Sequence, residues 1–285
     1  MNNAITASIE PDVGPKLGFE PDIEDTDREE IYLRKTLVLV GCGKAKRDPT
    51  DPVDLHAACV GPDEPLSNLP GADTGPAWRA EDLYTSTYFG VKREFAEVVT
   101  AWARGYDAGS WGVLSAEHGV VPNYRQLKPY DTSVADLGDD PTNPDHRVRN
   151  PFGRRRPDGQ EIVTEMDKWA ATVATTLCKW VAGFRARRAK PWENDANELL
   201  VLAGRDYVEP LRERGVFEYG ISRMSGNPNE GYTFPLRTRF LFEEIPAGGN
   251  GEQMGWLSEA IGQLEPLVND QDATEQQTLT PEVNQ

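Results

Sequence analysis

Histidine and cysteine are scarce, at three each in 285 residues. Cys42, Cys59 and Cys178 are too few and too scattered for a disulfide framework or a zinc ribbon, so free thiols in a reducing compartment are expected. His56, His118 and His146 lack a metal-binding spacing such as H-E-x-x-H, and neither a metal nor a cofactor is expected. Long apolar runs are missing too. None approaches the roughly 18 residues that a membrane span requires, and the start has neither the basic nor the apolar region of a signal peptide. The expectation is a cytoplasmic chain with no membrane partner. Apolar residues make up 38 % of the sequence, below the usual share, which predicts that part of the chain does not pack.

Lysine is short as well, nine against 21 arginines, and what abounds instead is acid. The formal net charge of −17 argues at first against a nucleic-acid partner. The charge is unevenly placed, however. Residues 1–30 hold nine acids and two bases, and residues 243–285 hold nine acids and no base. These ends carry −7 and −9, which leaves −1 on residues 31–242. The body is nearly neutral, and nucleic acid stays among the candidate partners. An acidic chain poor in lysine also has the halophile-like composition of a high-salt cytoplasm. There, screening over about 3 Å at 1 M salt blunts repulsion of an anionic ligand.

Proline, glycine and acid crowd residues 1–30, which predicts a disordered acidic tail. A second disordered tail is expected over residues 269–285, rich in Gln, Thr and Glu. Between them, residues 31–242 read as one α/β domain with inserts at about 48–77 and 138–160, followed by a docking helix within residues 243–268. Three short apolar runs read as buried strands: residues 36–40 (TLVLV), 111–114 (WGVL) and 198–203 (ELLVLA). Helical periodicity separates them. Tyr88, Val91, Phe95, Val98 and Trp102 step by three or four. So do Ile162, Met166, Trp169, Val173, Leu177, Trp180 and Phe184, with Asp158 and Glu161 as a capping-box-like start. This alternation predicts an open, mainly parallel sheet flanked by helices. In such sheets ligands bind beyond the carboxyl ends of the strands. Each strand here ends in a polar, glycine-bearing turn: GCGKAKR, SAEHG or GRDY.

Each turn offers chemistry beside a plain structural reading. In residues 41–47, Gly43 lets backbone approach an anion while Lys44, Lys46 and Arg47 add positive charge. The spacing fits neither a Walker A loop nor G-x-G-x-x-G, and a tight turn with solvated cations is the alternative. Cys42 reads as a packed thiol, or as a nucleophile or ligand contact. Tyr84 either stacks on a ring or packs, and Thr85 or Ser86 caps the helix that follows. Glu117 and His118 leave a buried strand, which has no structural need for a carboxylate and an imidazole. On extended backbone the two point to opposite faces, so a turn at Gly119 is needed to bring them together. Together they offer acid/base chemistry near neutral pH, against the bland reading of a histidine tied to a carbonyl. Ser115 opens that turn, and Tyr130 and Asp131 form a second one whose carboxylate can return to the same crevice. In residues 203–215, Gly204 opens the turn, Arg205 can grip phosphate through two parallel bonds, and Tyr207 stacks or closes a pocket. The basic runs at 147–156 and 185–190 offer contacts to a nucleic-acid backbone. The second lies at a helix C-terminus, where cations are stabilising anyway.

Taken in order, V-G-C-G-K-x-K, L-Y-T-S-x-Y-F, W-x-V-L-S-A-E-H-G-V-V-P with P-Y-D, and L-A-G-x-x-Y resemble an uncharacterised prokaryotic and phage domain. That domain is itself similar to the YaaA-type peroxide-stress proteins. The resemblance spans about residues 36–207. It implies a YaaA-like α/β fold, an association with DNA binding and protection from oxidative damage, and a pocket for a nucleobase or nucleotide. Matching positions are Cys42, Gly43, Lys44, Lys46, Tyr84, Ser86, Ser115, Glu117, His118, Gly119, Tyr130, Asp131, Gly204 and Tyr207. The acidic ends and the two inserts depart from that pattern.

The expected function is an enzyme acting on a nucleotide or a nucleic-acid base, with the N-glycosidic bond as the candidate bond. Glu117, His118 and Asp131 are its expected catalytic residues. The expected ligand- and phosphate-binding set is Cys42, Gly43, Lys44, Lys46, Tyr84, Ser86, Ser115, Gly119, Tyr130, Gly204, Arg205 and Tyr207. A non-catalytic module that binds a nucleotide or a DNA end is the alternative.

Overall fold

A weak apolar alternation runs through the acidic N-terminal segment, at Ile5, Ala7, Leu17, Phe19, Ile31 and Leu33. The computed structural model describes residues 5–10, 14–20, 29–33, 36–48, 50, 77–101, 111–138, 155–187, 198–218 and 236–279. In it the alternation builds three strands, β1 (Thr6–Glu10), β2 (Gly14–Phe19) and β3 (Glu29–Tyr32), paired antiparallel. Ile5, Leu17, Phe19, Ile31 and Leu33 are buried in the main core. Lys16 Nζ pairs with Glu10 and, at 2.8 Å, with Glu30, so part of the acid is neutralised within the sheet. The disordered tail expected over residues 1–30 is corrected where those strands stand. Composition counts acids, whereas period-two spacing decides what a strand can bury.

The next elements are β4 (Thr36–Gly41), β5 (Trp78–Arg79), α1 (Ala80–Leu83), α2 (Thr87–Ala101), β6 (Trp111–Ser115), β7 (Gly119–Pro122) and β8 (Gln126–Leu127). A 3₁₀ turn (Val134–Asp136) and α3 (Glu165–Arg187) follow, then β9 (Glu198–Leu202) and α4 (Arg205–Glu213). β10 (Arg237–Phe240), α5 (Leu241–Glu244) and α6 (Asn250–Leu279) complete the order. Five strands form the central sheet in the order β10-β9-β4-β6-β7. All neighbours are parallel except β6 and β7, which pair antiparallel. The expected open, mainly parallel α/β sheet is present. β7 adds an antiparallel edge, and β5 pairs with β8 as a separate ribbon.

β4 is buried at every position, which requires cover on both faces. Val38 and Val40 lie in one core with Phe89, Phe95 and Val99 of α2 and with Leu257, Ala260 and Leu264 of α6. Leu37 and Leu39 lie in the other with Trp169, Val173 and Leu177 of α3 and with Val208 and Leu211 of α4. From β4 the chain crosses through α2 to β6 on one side. It later returns through α3 to β9 on the opposite side of β4. Strand order therefore reverses at β4, the position where open α/β sheets leave a crevice for ligand.

Two helices begin or face differently from expectation. The buried stripe of α2 is Phe89, Lys92, Phe95, Ala96 and Val99, one position round from Tyr88, Val91, Phe95 and Val98. The long helix starts at Glu165, not near Asp158. Thr164 and Asp167 form the reciprocal cap: Asp167 N–H donates to Thr164 Oγ1 at 3.1 Å, and Thr164 N–H donates to Asp167 Oδ2 at 3.1 Å. Asp158 is taken by Arg156 and by the N–H of Gln160. At the other end α6 runs on to Leu279, where a disordered tail was expected from residue 269. Among the described residues no helix is long and apolar enough to cross a membrane. His56, Cys59, Trp102 and His146 lie outside the described residues, as do most of both inserts and most of the basic run at 147–156.

Candidate functional site

Cys42 follows β4, and its N–H extends the ladder to Leu114 O at 3.0 Å. The loop then lies against residues 83–85. Arg47 N–H donates to Leu83 O at 2.9 Å, Thr85 N–H donates to Ala45 O at 3.1 Å, and Lys46 pairs with Tyr84 as an antiparallel bridge. Glycine is needed at 43 because a Cβ there would lie 2.9 Å from Ser86 Oγ. Ser86 is itself fixed as the cap of α2, accepting the Phe89 N–H at 3.2 Å. Of the three cations in this loop, Arg47 is structural, its Nε donating to Asp82 O at 2.8 Å. Lys44 is exposed, and Lys46 Nζ stands 4.3 Å from the centre of the Tyr130 ring.

The turn after β6 is built on Ser115, which is fully buried. Its Oγ accepts the N–H groups of Glu117 at 3.2 Å and His118 at 3.0 Å, and its carbonyl accepts Trp169 Nε1–H at 2.9 Å. The turn closes at Gly119 with φ of 72°. Glu117 and His118 are thereby presented outward and exposed. The His118 ring meets the Tyr130 ring edge-on, with centres 5.1 Å apart, and the Thr132 hydroxyl donates to Glu117. Protein packed around its inner side lowers the His118 pKa below 6.5, with the Glu117 charge opposing. The imidazole is therefore neutral at pH 7, the form that can accept a proton.

Between these turns three phenols converge. Tyr130 is hydrogen-bonded to Ser115 Oγ at 2.8 Å and to the Tyr84 hydroxyl at 2.7 Å, and Tyr207 meets Cys42 Sγ at 3.0 Å. Burial raises the pKa of all three, and the Cys42 sulfur adds to it, so all three keep their protons near neutral pH. Beneath them lies Lys92, 4 % exposed, which donates to Gly41 O at 2.8 Å and faces the Tyr88 ring at 4.5 Å. Burial lowers its pKa to about 8, with Cys42 pulling the other way. Lys92 was absent from the expected binding set. Its signal in the sequence is a cation inside the apolar stripe of a helix.

The turn after β9 supplies Tyr207. Gly204 O accepts the N–H groups of Tyr207 at 3.0 Å and Val208 at 3.1 Å, which sets Tyr207 in the first turn of α4. Arg205 stands apart from the phenols. It lines a neighbouring cavity of about 500 Å³ with Val134, Leu137 and Met166, and the same wall carries Asp206, Glu209 and Glu213. Asp131 is exposed, and no hydrogen bond among the described residues ties it to the cluster. Nor do the described residues contain a group of three or more His, Cys, Asp or Glu able to hold a metal ion.

Residues 74–221 match a family of unknown function, DUF6884. The chain belongs to that family. No curated protein and no solved structure matches it. The DUF6884 span begins just before β5 and ends beyond α4, so it holds Tyr84, Lys92, Ser115, His118, Tyr130 and Tyr207. Cys42 and Lys46 come from β4 and its loop, outside the matched residues, and complete the cluster from the N-terminal side.

Proposed function

We propose that the chain is an enzyme acting on a nucleotide or a nucleic-acid base, that its ligand sits at the carboxyl end of β4, and that the N-glycosidic bond is broken there. One observation carries this reading: phenols, an imidazole, a thiol and lysines from four separate segments meet where the strand order reverses. A base needs flat apolar surface with a few well-placed polar groups, and the rings of Tyr130 and Tyr207 supply it. Lys44 and Lys46 are the cations assigned to phosphate. The carboxylates around Arg205 disfavour an anion there. As the C–N bond breaks, water adds to the anomeric carbon and its proton passes to neutral His118, assisted by Glu117. The order of the motifs resembles an uncharacterised prokaryotic and phage domain that is itself similar to the YaaA-type proteins, which favours a substrate linked to nucleic acid.

The test is a panel of ribo- and deoxyribonucleosides, their monophosphates and short single-stranded DNA, read by thermal shift and by chromatography of released base. One class should stabilise the protein and release base, and Glu117→Gln and His118→Ala should each slow release about 100-fold or more. Stabilisation without release would instead indicate a binding module. Absence of both would overturn the proposal.

A further inference from the structure

The hydroxyl cluster holds one proton more than its internal hydrogen bonds consume. Ser115 Oγ accepts two N–H groups, from Glu117 at 3.2 Å and His118 at 3.0 Å. A hydroxyl has two lone pairs and one proton. Its acceptor capacity is therefore filled, and its own proton goes to Tyr130 Oη, 2.8 Å away. Tyr84 is 5 % exposed, and its hydroxyl is hydrogen-bonded to Tyr130 at 2.7 Å, with Ser115 and the Cys42 sulfur acting on it as well. Were Tyr130 the donor in that bond, the Tyr84 proton would be left to the already filled Ser115 oxygen or to the weakly accepting Cys42 sulfur. Buried polar groups are satisfied as a rule, so Tyr84 donates. Tyr130 Oη thus receives two hydrogen bonds, and its own proton is left to point away from both. The Cys42 sulfur, hydrogen-bonded to Tyr207, also acts on Tyr130.

We propose that Tyr130 is the proton donor of the site, with Ser115 and Tyr84 as positioning residues whose donated hydrogen bonds hold its oxygen once the proton has left. The assignment rests on the reading that the ligand sits beside this cluster. In cleavage of an N-glycosidic bond, the electron pair of the C–N bond passes to the base nitrogen, which takes the Tyr130 proton. Water adds to the anomeric carbon and gives a proton to His118. Transfer of that proton back to Tyr130 through solvent restores the starting state. The charged and titratable groups that face Tyr130 are Lys46 from the loop after β4, His118 from the turn after β6, Tyr84 from the α1–α2 junction, Tyr207 from α4 and Cys42. Lys46 supplies the positive charge beside the transient phenolate.

Two measurements test this on the full chain. A difluorotyrosine at position 130 has a more acidic phenol than tyrosine, and its ¹⁹F resonance reports the titration with no ligand present. If Ser115 and Tyr84 donate to it, Ser115→Ala and Tyr84→Phe each remove support from the phenolate and move the midpoint to higher pH. A midpoint that falls in Tyr84→Phe would show Tyr130 donating to Tyr84 and would overturn the assignment, as would an unmoved midpoint. The second measurement is base release from the nucleoside and nucleotide panel. Tyr130→Phe keeps the ring and should lower kcat about 100-fold or more with little change in KM. An unchanged kcat overturns the donor role. An upward midpoint shift in a protein that releases no base from any substrate would overturn the glycosidic reaction and leave the direction of the hydrogen bonds standing.

Discussion

Lys92 shows what one residue can hide. An ammonium on the apolar face of a helix is costly to bury, and this one is held by a single carbonyl bond from Gly41 and by the Tyr88 ring. Its pKa falls from 10.5 to about 8 on folding, so between those values the unfolded chain binds one proton more than the folded one. Stability contributed through Lys92 therefore rises as pH climbs through that window and is lost as pH falls toward 8. The full effect is about 3 kcal/mol. Urea unfolding at pH 7, 8, 9 and 10 should show wild type gaining on Lys92→Met across the window, since the tyrosines titrate in both proteins and cancel in the difference. A flat difference would contradict the burial. The sequence alone did not decide where this residue goes. Two stripes of α2 share the helical period, and a lysine at the centre of one points away from it. What keeps Lys92 inside is Gly41, 51 residues earlier, a contact that local pattern cannot contain.

At the scale of elements, the three central strands were legible because each is a short apolar run closed by a glycine-bearing turn. The two turns that present His118 and Tyr207 are different devices. Gly119 has φ of 72°, and a Cβ there would meet Thr176 Oγ1 at 2.5 Å while that oxygen accepts Val120 N–H at 2.7 Å. Gly204 has φ of −69° and nothing within 4 Å of a built Cβ. Gly119→Ala should therefore cost about 2 kcal/mol or more, and Gly204→Ala less than about 1 kcal/mol, both read from thermal or urea unfolding. Equal losses would mean that the turn after β6 tolerates a side chain. Elements that were missed share a cause: β1 to β3 and β7 have too few apolar positions to stand out and are secured by pairing with neighbouring strands. The start of α3 was misplaced for a related reason. Asp158 satisfies a capping pattern on paper, but Arg156 holds it, whereas Thr164 and Asp167 sit directly ahead of the apolar stripe.

Across the whole molecule, acidity at the two ends turns out to be partly structural. Arg239 is 3 % exposed and gathers carboxylates from three elements: Glu29 at 3.2 Å, Glu198 at 3.4 Å and Glu244 at 2.6 Å. It also donates to Glu30 O at 2.7 Å. One guanidinium thus ties the N-terminal sheet to the β9–β10 edge and to α5. Its loss would leave several partly buried carboxylates without a counter-charge, so Arg239→Met should destabilise by about 3–5 kcal/mol. Arg239→Lys should recover only part, because an ammonium cannot reproduce the planar fork. Calorimetric or urea unfolding of both variants checks this, and a neutral Arg239→Met would refute it. Composition predicted a tail at Glu29 and Glu30, since charge counts carry no record of which acids meet a cation after folding.

The bond between Cys42 and Tyr207 joins residues 165 positions apart. During synthesis the thiol precedes the last phenol beside it by that whole stretch of chain. Until Tyr207 is added the sulfur has no such neighbour, so an oxidant or electrophile reaching the growing polypeptide would find it before the finished protein has formed its collar. Damage at that stage would occupy the seat meant for Tyr207, and the phenol cluster would fail to close without any change to the encoded residues.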